Sequence, residues 1–341
     1  MIRPIGTKTS VKFISHAPHL SNMEPSPSRM MLLLLILLAG IVAVTETLFV
    51  GNSTVYQDEA RRLALHHAIL ANEPPTDGWG PPGANTTNIR VMAVYLADAI
   101  SRVGGVEVLK AYKAIDASSI FLVLVALGIY LRRWFPPPIC ALGVLFVGSV
   151  LPLTYAHHYF HPWDRPSLLL WLLTMWAIRE NRPYLALFPL VLAVATKWDA
   201  VVLPGLYFMA WRLRENLIAV SIRTALMFAA AIGTYAALRI ALPGGFIEKD
   251  TIAIVSANFH DLLSLNFAHP TLLVFALPAV LTVIGFRHAD HFSKASVVFG
   301  LLLFLPLVTG AVFREVRAEM MILIALLPAA LAGFCRMDTQ R

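Results

Sequence analysis

Charged residues are scarce in this chain. They make up 14% of its 341 residues, while hydrophobic residues make up 58% and the mean hydropathy is +0.70. A soluble domain contains about 25% charged residues, so this composition excludes an ordinary soluble protein. Cysteine is scarcer still, since Cys140 and Cys335 are the only two and both lie in apolar sequence. Neither a disulfide framework nor a cysteine-based zinc site is indicated.

Two further patterns are missing: the basic–aromatic surface motifs of nucleic-acid-binding proteins, and an internal repeat. The net charge of +7 therefore indicates membrane topology, because Lys and Arg accumulate in cytoplasmic loops. The expected partner is the lipid bilayer, and no nucleic acid is expected.

Long apolar runs are what the chain does contain. A helix of about 20 apolar residues crosses the hydrocarbon core of a bilayer. The runs predict transmembrane helices at about 31–50, 117–133, 138–156, 166–178, 217–241, 271–286, 294–312 and 319–335. The expected fold class is an all-α integral membrane protein with about 9–10 transmembrane helices. A large first outer loop, at about 51–113, is expected to carry amphipathic helices.

The N-terminal part divides into a tail and an anchor. Residues 1–28 are rich in Ser, Pro and Met, which predicts a disordered tail, and residues 29–341 predict one polytopic transmembrane domain. The first apolar run is either a cleaved signal peptide or an uncleaved anchor. Its apolar core is longer than the usual 7–15 residues and a long tail precedes it, which favours the anchor.

The segment 183–212 also admits two interpretations, because one straight helix of that length would be too long for the membrane core. Thr196-Lys197-Trp198-Asp199 interrupts it, and Pro204-Gly205 follows. Two short helices that meet near Lys197 bring the Arg-containing loops to one side of the membrane, whereas one crossing divides them between two sides. Ten crossings with both termini in the cytoplasm are therefore expected.

That topology places the unusual polar strings on the outer face. They are 56–62, 157–166, 196–199 and 313–319. Because charges next to membrane spans are costly and usually face a cavity or one another, the strings predict a polar cavity at this face. Lys197 and Asp199 are expected below the surface, since the flanking helices are short.

Each string also has a structural explanation. Asp58-Glu59 would begin an amphipathic surface helix, Asp164 would cap the helix that follows it, and Lys197-Asp199 would be a buried ion pair. The charged string at 313–319 would be an ordinary loop. His157, His158 and His161 have spacings seen in metal sites but lack a known zinc motif, so interfacial anchoring is the alternative.

The same residues carry a family resemblance that covers about 31–335. The chain resembles the GT-C superfamily of membrane glycosyltransferases, which use polyprenyl-phosphate-linked sugars. The shared features are one span, a large outer loop with the acid pair Asp58-Glu59 near its start, and surface helices such as the one at 88–96. Asp164-Arg165-Pro166 before a span, the tip at 196–199 and 314–317 before the last span are also similar. Unlike larger members, the chain shows no separate acceptor-recognition domain.

The resemblance implies an inverting transfer of a sugar from a polyprenyl-phosphate donor to an acceptor at the outer face of a bacterial inner membrane. Asp58 would be the general base, with Glu59 second. The phosphate-binding residues would be Lys197, Arg314 and Arg317, followed by Arg165 and His158. Asp164, Asp199 and Glu315 are possible further site residues. Some relatives use a divalent metal, and Asp58 with Asp164 would help to bind one here. The sequence decides neither metal dependence nor the identity of the acceptor.

Two other functions stay open. A transporter or flippase for a lipid-linked or anionic substrate would use the same cavity without bond chemistry, although many transporters show repeats. A noncatalytic subunit of an envelope polysaccharide or glycolipid assembly is the third.

Overall fold

A computed structural model describes residues 29–51, 59–73, 90–155, 162–242, 251–263, 270–310 and 316–338. Every regular element within these ranges is a helix, and no strand occurs in them. The predicted all-α class is therefore confirmed.

The α-helices of the described ranges are numbered in chain order. They are α1 Arg29–Thr45, α2 Glu59–Ala71, α3 Val91–Gly104, α4 Val108–Leu131, α5 Pro137–Val150, α6 Asp164–Arg179, α7 Pro183–Thr196, α8 Leu203–Trp211, α9 Leu217–Ala241, α10 Thr251–Leu263, α11 Pro270–Phe286, α12 His291–Gly310 and α13 Val316–Asp338. A π-helical segment, Glu46–Gly51, continues α1, and a 3-10 turn, Leu151–Tyr155, continues α5. A second 3-10 turn, Trp198–Val202, joins α7 to α8.

Several of these helices are long and apolar enough to cross a membrane. Within the described ranges the long ones are Leu33–Gly51, Val108–Leu131, Pro137–Tyr155, Leu217–Ala241 and Glu319–Met337. Shorter apolar helices lie at Pro183–Thr196, Val274–Phe286 and His291–Pro306. The chain is thus a multi-pass membrane protein, and each predicted span coincides with a helix. Two differences are that α4 begins at Val108, before the predicted 117, and that the sequence analysis did not predict α10.

One end of the bundle collects the connections between α4 and α5, α6 and α7, α8 and α9, and α11 and α12. Trp134 Nε1 donates a hydrogen bond of 2.9 Å to Asp290 Oδ2, and the Arg179 guanidinium lies 4.2 Å from the centre of the Trp134 ring. Asn181 Nδ2 donates to a Glu215 carboxylate oxygen. Since 181 and 215 are neighbours, the segment between them leaves this end and returns to it. The predicted hairpin, with its break at Lys197, is confirmed.

Helices α11 and α13 approach each other to backbone contact, and glycine makes this approach possible. A Cβ atom added at Gly285 would lie 2.0 Å from the carbonyl oxygen of Ala329, and one at Gly333 would lie 2.1 Å from that of Leu281. Small residues allow membrane helices to approach to backbone contact, where packing substitutes for the hydrophobic effect. The pair fixes the position of the start of α13 at the opposite end.

Candidate functional site

The structure places part of the predicted site. Asp58, His157, His158, His161, Arg314 and Glu315 lie outside the described residues. Glu59 begins α2 and Arg317 lies in the first turn of α13, but their side chains lie outside the described part. The four other predicted residues, Asp164, Arg165, Lys197 and Asp199, are described, and all four meet at the end of the bundle opposite the connections above.

Lys197 lies between two carboxylates. Its Nζ atom is 3.3 Å from Asp164 Oδ1 and 3.4 Å from Asp199 Oδ2. The extended backbone at Lys197 (φ −156°, ψ 116°) ends α7 and re-aims the chain into the 3-10 turn. This break is why Lys197 and Asp199, two residues apart, reach the same point. The Lys197 and Asp164 side chains are 10% and 5% exposed, so this pair is largely shielded from water.

Arg165 is held by a second set of partners. Its Nε atom is 3.6 Å from Asp116 Oδ1, and its Nη2 atom donates to Thr154 Oγ1. The guanidinium carbon lies 3.8 Å from the centre of the Tyr155 ring, and the Tyr155 hydroxyl donates to Asp116 Oδ2. Stacking on Tyr155, the ion pair with Asp116 and the hydrogen bond to Thr154 together fix the plane of the guanidinium. Arg165 therefore ties the start of α6 to α4 and to the turn after α5.

Two acids of this cluster were missed by the sequence analysis. Glu46 lies in the π-helical segment that continues α1 and is 2% exposed, and Asp116 lies in α4 and is 4% exposed. A lone acid inside an apolar run is costly, so Glu46 was detectable as an exception within the first span. Asp116 was missed because it precedes the predicted start of its span by one residue. Glu319, in the first turn of α13, is fully buried as well.

Charge is unevenly distributed over the site. The carboxyl groups of the site are those of Glu46, Asp116, Asp164 and Asp199, and its cationic groups are those of Arg165, Lys197 and Arg90, the last of which acts on Asp199. Both predicted phosphate-binding cations that the structure describes are thus paired with acids. In the described part the cluster is rich in acid, which suits general-base chemistry or cation and proton binding more than it suits a purely basic phosphate cradle.

A narrow cavity opens beside the ion pairs. Its lining residues are Leu151, Thr154, Asp164, Arg165, Leu168, Met320 and Met321. The lining combines carboxylate, guanidinium and hydroxyl groups with the apolar side chains of Leu151, Leu168, Met320 and Met321. The cavity volume of about 10 Å³ is that of a single water molecule, so the cavity marks where polar and apolar side chains meet and is too small for a lipid-sized ligand.

Helices α2 and α3, which lie between the first two long apolar helices, pack next to this cluster. Ile69, Val91 and Tyr112 share an apolar cluster with Tyr155, which stacks on Arg165, and with Trp163, which precedes Asp164. In addition, the guanidinium of Arg90 lies 4.9 Å from the centre of the Trp163 ring. The predicted surface helices thus form one wall of the candidate site.

Within the described residues, no group of three or more His, Cys, Asp or Glu side chains is placed to hold a metal ion. The carboxylate pair that the sequence suggested for a divalent cation, Asp58 with Asp164, lies partly outside those residues.

None of the protein-family models, curated proteins or solved structures compared with the chain matches it.

Proposed function

We propose that the chain is a membrane glycosyltransferase that moves a sugar from a polyprenyl-phosphate donor to an acceptor at the outer face. The observation that carries the proposal is the cluster of buried acids, paired with Lys197 and Arg165, where α1, α4, α6 and the α7–α8 hairpin meet. The cluster lies beside a loop with two surface helices, so a lipid-linked donor would reach it from the membrane and an acceptor from water.

The orientation follows from the arginines. The end of the bundle that holds Arg133, Arg179 and Arg214 is assigned to the cytoplasm by the positive-inside rule, and the charged cluster then faces outward. Both termini would be cytoplasmic. We assign the protein to a bacterial inner membrane, where polyprenyl-phosphate sugars are used at the outer leaflet.

In the proposed reaction a carboxylate removes the proton of an acceptor hydroxyl, whose oxygen then attacks the anomeric carbon and displaces the lipid phosphate. Asp58 is the base and Glu59 the second choice. Arg314 and Arg317 stabilise the phosphate as it leaves, with His158 as a further donor. Lys197 and Arg165, each held between acids or aromatic groups, orient the carboxylates Asp164, Asp199 and Asp116.

A transporter or flippase of a lipid-linked or anionic substrate is the second candidate, and Glu46 is the observation that favours a transporter. Its carboxyl group is buried within the first membrane span, and neither oxygen has a hydrogen-bond partner among the described residues. Intramembrane carboxyl groups of this kind recur in proton relays of pumps and transporters.

One experiment separates the two functions. Purified protein in proteoliposomes is incubated with radiolabelled polyprenyl-phosphate sugar and a mixture of membrane and cell-wall acceptors, and both sugar transfer and donor translocation are measured. If the chain is a transferase, we expect polyprenyl phosphate to be released and the labelled sugar to appear on an acceptor. Both signals should be lost in Asp58→Asn. Translocation without release would support the transporter, and binding without either would support a noncatalytic subunit.

A further inference from the structure

Glu46 is the most unusual side chain of the cluster. It is 2% exposed and lies at the start of the π-helical segment that continues α1. Both carboxyl oxygens are buried, and neither has a hydrogen-bond partner among the described residues. A π-helical turn inside a helix is uncommon and recurs at functional sites. An ionised carboxylate in such surroundings would be strongly destabilising, so its charge must be removed or balanced.

Among the described residues, two charged groups act on Glu46: the guanidinium of Arg165 and the carboxyl group of Asp116. The Arg165 guanidinium makes its described contacts with Asp116, Thr154 and Tyr155, and Tyr155 donates its own hydroxyl hydrogen to Asp116. Asp116 thus receives both the cation and the hydroxyl donor. One guanidinium is therefore the cation for two carboxyl groups. Asp116 forms the ion pair with it and also accepts the Tyr155 hydrogen bond, so the negative charge is better stabilised on Asp116 than on Glu46.

We propose that Glu46 is a proton-binding site, where the carboxyl group holds a proton at neutral pH while Asp116 carries the negative charge. The ligand of the site is a proton, and the guanidinium of Arg165 decides which of the two acids holds it. Any change that draws Arg165 from Asp116 toward Glu46 would release that proton. The proposal does not depend on the glycosyltransferase proposal, because it concerns the resting protein without substrate.

Dicyclohexylcarbodiimide tests this directly, since it reacts with protonated carboxyl groups in apolar surroundings and scarcely with ionised ones. The full-length protein in detergent is treated with the reagent at pH 7, and the modified residues are mapped by mass spectrometry. We expect one dominant adduct, at Glu46, that is lost in Glu46→Gln. Because Gln resembles a protonated Glu, Glu46→Gln should also keep the melting temperature of the unchanged protein.

Two variants test the competition for Arg165. In Asp116→Asn the guanidinium is released to Glu46, which should ionise and lose at least about tenfold in labelling. In Arg165→Met neither acid has a cation, so both Glu46 and Asp116 should be labelled, which also shows that the reagent has access. Two results would overturn the proposal. The first is that Glu46 is labelled in Arg165→Met but not in the unsubstituted protein. The second is that Asp116→Asn labels at Glu46 as strongly as the unsubstituted protein does.

An infrared measurement covers variants that fail to fold. A protonated carboxyl group has a carbonyl band that shifts on exchange into deuterium oxide and that ionised carboxylates lack. The difference spectrum between the unchanged protein and Glu46→Gln at pH 7 should contain this band. Its absence, with Glu46→Gln folded, would contradict the proposal.

Discussion

Lys197 occupies the most constrained position of the candidate site. Two explanations for a cation there compete: a bound lipid phosphate or protein carboxylates. The contacts with Asp164 at 3.3 Å and Asp199 at 3.4 Å favour the carboxylates. Asp199 keeps 35% of its side chain exposed, whereas Asp164 keeps 5%, so Asp164 is the partner that most needs the ammonium group.

Lys197→Met should therefore destabilise the fold by about 3–5 kcal/mol, because it leaves the Asp164 carboxylate buried without its cation. The double variant with Asp164→Asn should recover most of that loss. Thermal and denaturant unfolding in detergent would measure both effects. Lys110→Met is the matched control, since Lys110 forms an exposed pair with Glu107 and should change little. A stable Lys197→Met that binds polyprenyl phosphate poorly would instead identify the phosphate as the partner.

Asp58 is the residue on which the proposed chemistry depends most. Asp58→Asn should leave the protein folded and inserted but lower sugar transfer by roughly 10²–10⁴-fold, the usual contribution of a general base. Glu59→Gln should have a smaller effect. Transfer rates are compared at equal amounts of folded protein, and unchanged turnover in Asp58→Asn would remove that carboxylate from the mechanism.

At the scale of elements, the contact between α11 and α13 leaves no room for a side chain. Gly285→Ala and Gly333→Ala should each destabilise the protein by at least about 1–3 kcal/mol, because the new methyl group meets backbone that cannot turn aside. Gly233→Ala in α9 is the control, since nothing lies within 4 Å of an added Cβ there. The test compares the melting temperatures of the three variants. Equal values would show that α11 and α13 can move apart with no loss in the free energy of unfolding.

Helix α2 is joined to α4 by a buried histidine whose neutral form is favoured. His66 Nδ1 lies 2.9 Å from the Tyr112 hydroxyl, and burial, followed by the nearby His67, lowers the pKa of His66 below its ordinary value. A neutral His66 is favoured in the docked state, so docking is fully stable above pH of about 6.5 and weakens as the pH falls.

Hydrogen exchange of the α2 amides should therefore quicken between pH 7.5 and pH 5, after correction for the intrinsic rate. His66→Gln keeps a polar group at this position but does not titrate, so the extra acceleration should disappear. His67 is exposed, and His67→Gln should retain it. Protection that does not change with pH in the unchanged protein would show that His66 does not control docking.

At the scale of the whole molecule, the sequence predicted what depends on long averages and missed what depends on single residues. Apolar runs predicted the spans, and Lys197-Trp198-Asp199 predicted the break of the hairpin. Glu46 was not predicted as a site residue because the apolar residues around it dominate the mean hydropathy of the span. Helix α4 begins early because its first turns, which hold Lys110 and Lys113, are polar yet helical. The pairing of Arg165 with Asp116 joins α6 to α4, and spacing along the chain could not reveal it.

The connections between helices lie at two opposite ends of the bundle, and this arrangement predicts which single cysteines can be labelled from each side of the membrane. In a variant without Cys140 and Cys335, single cysteines at 181, 213 and 290 should react with a membrane-impermeant maleimide only from the cytoplasmic side. Cysteines at 80, 160 and 315 should react from outside. The hairpin tip is probed at Trp198, which is 42% exposed, because the neighbouring Lys197 is buried. Outside reactivity at 198, together with inside-only reactivity at 181 and 213, is expected only if α7 and α8 form a hairpin. If cysteines at 181 and 213 react from opposite sides, that topology is wrong. The residues of the charged cluster would then not all lie on one side of the membrane.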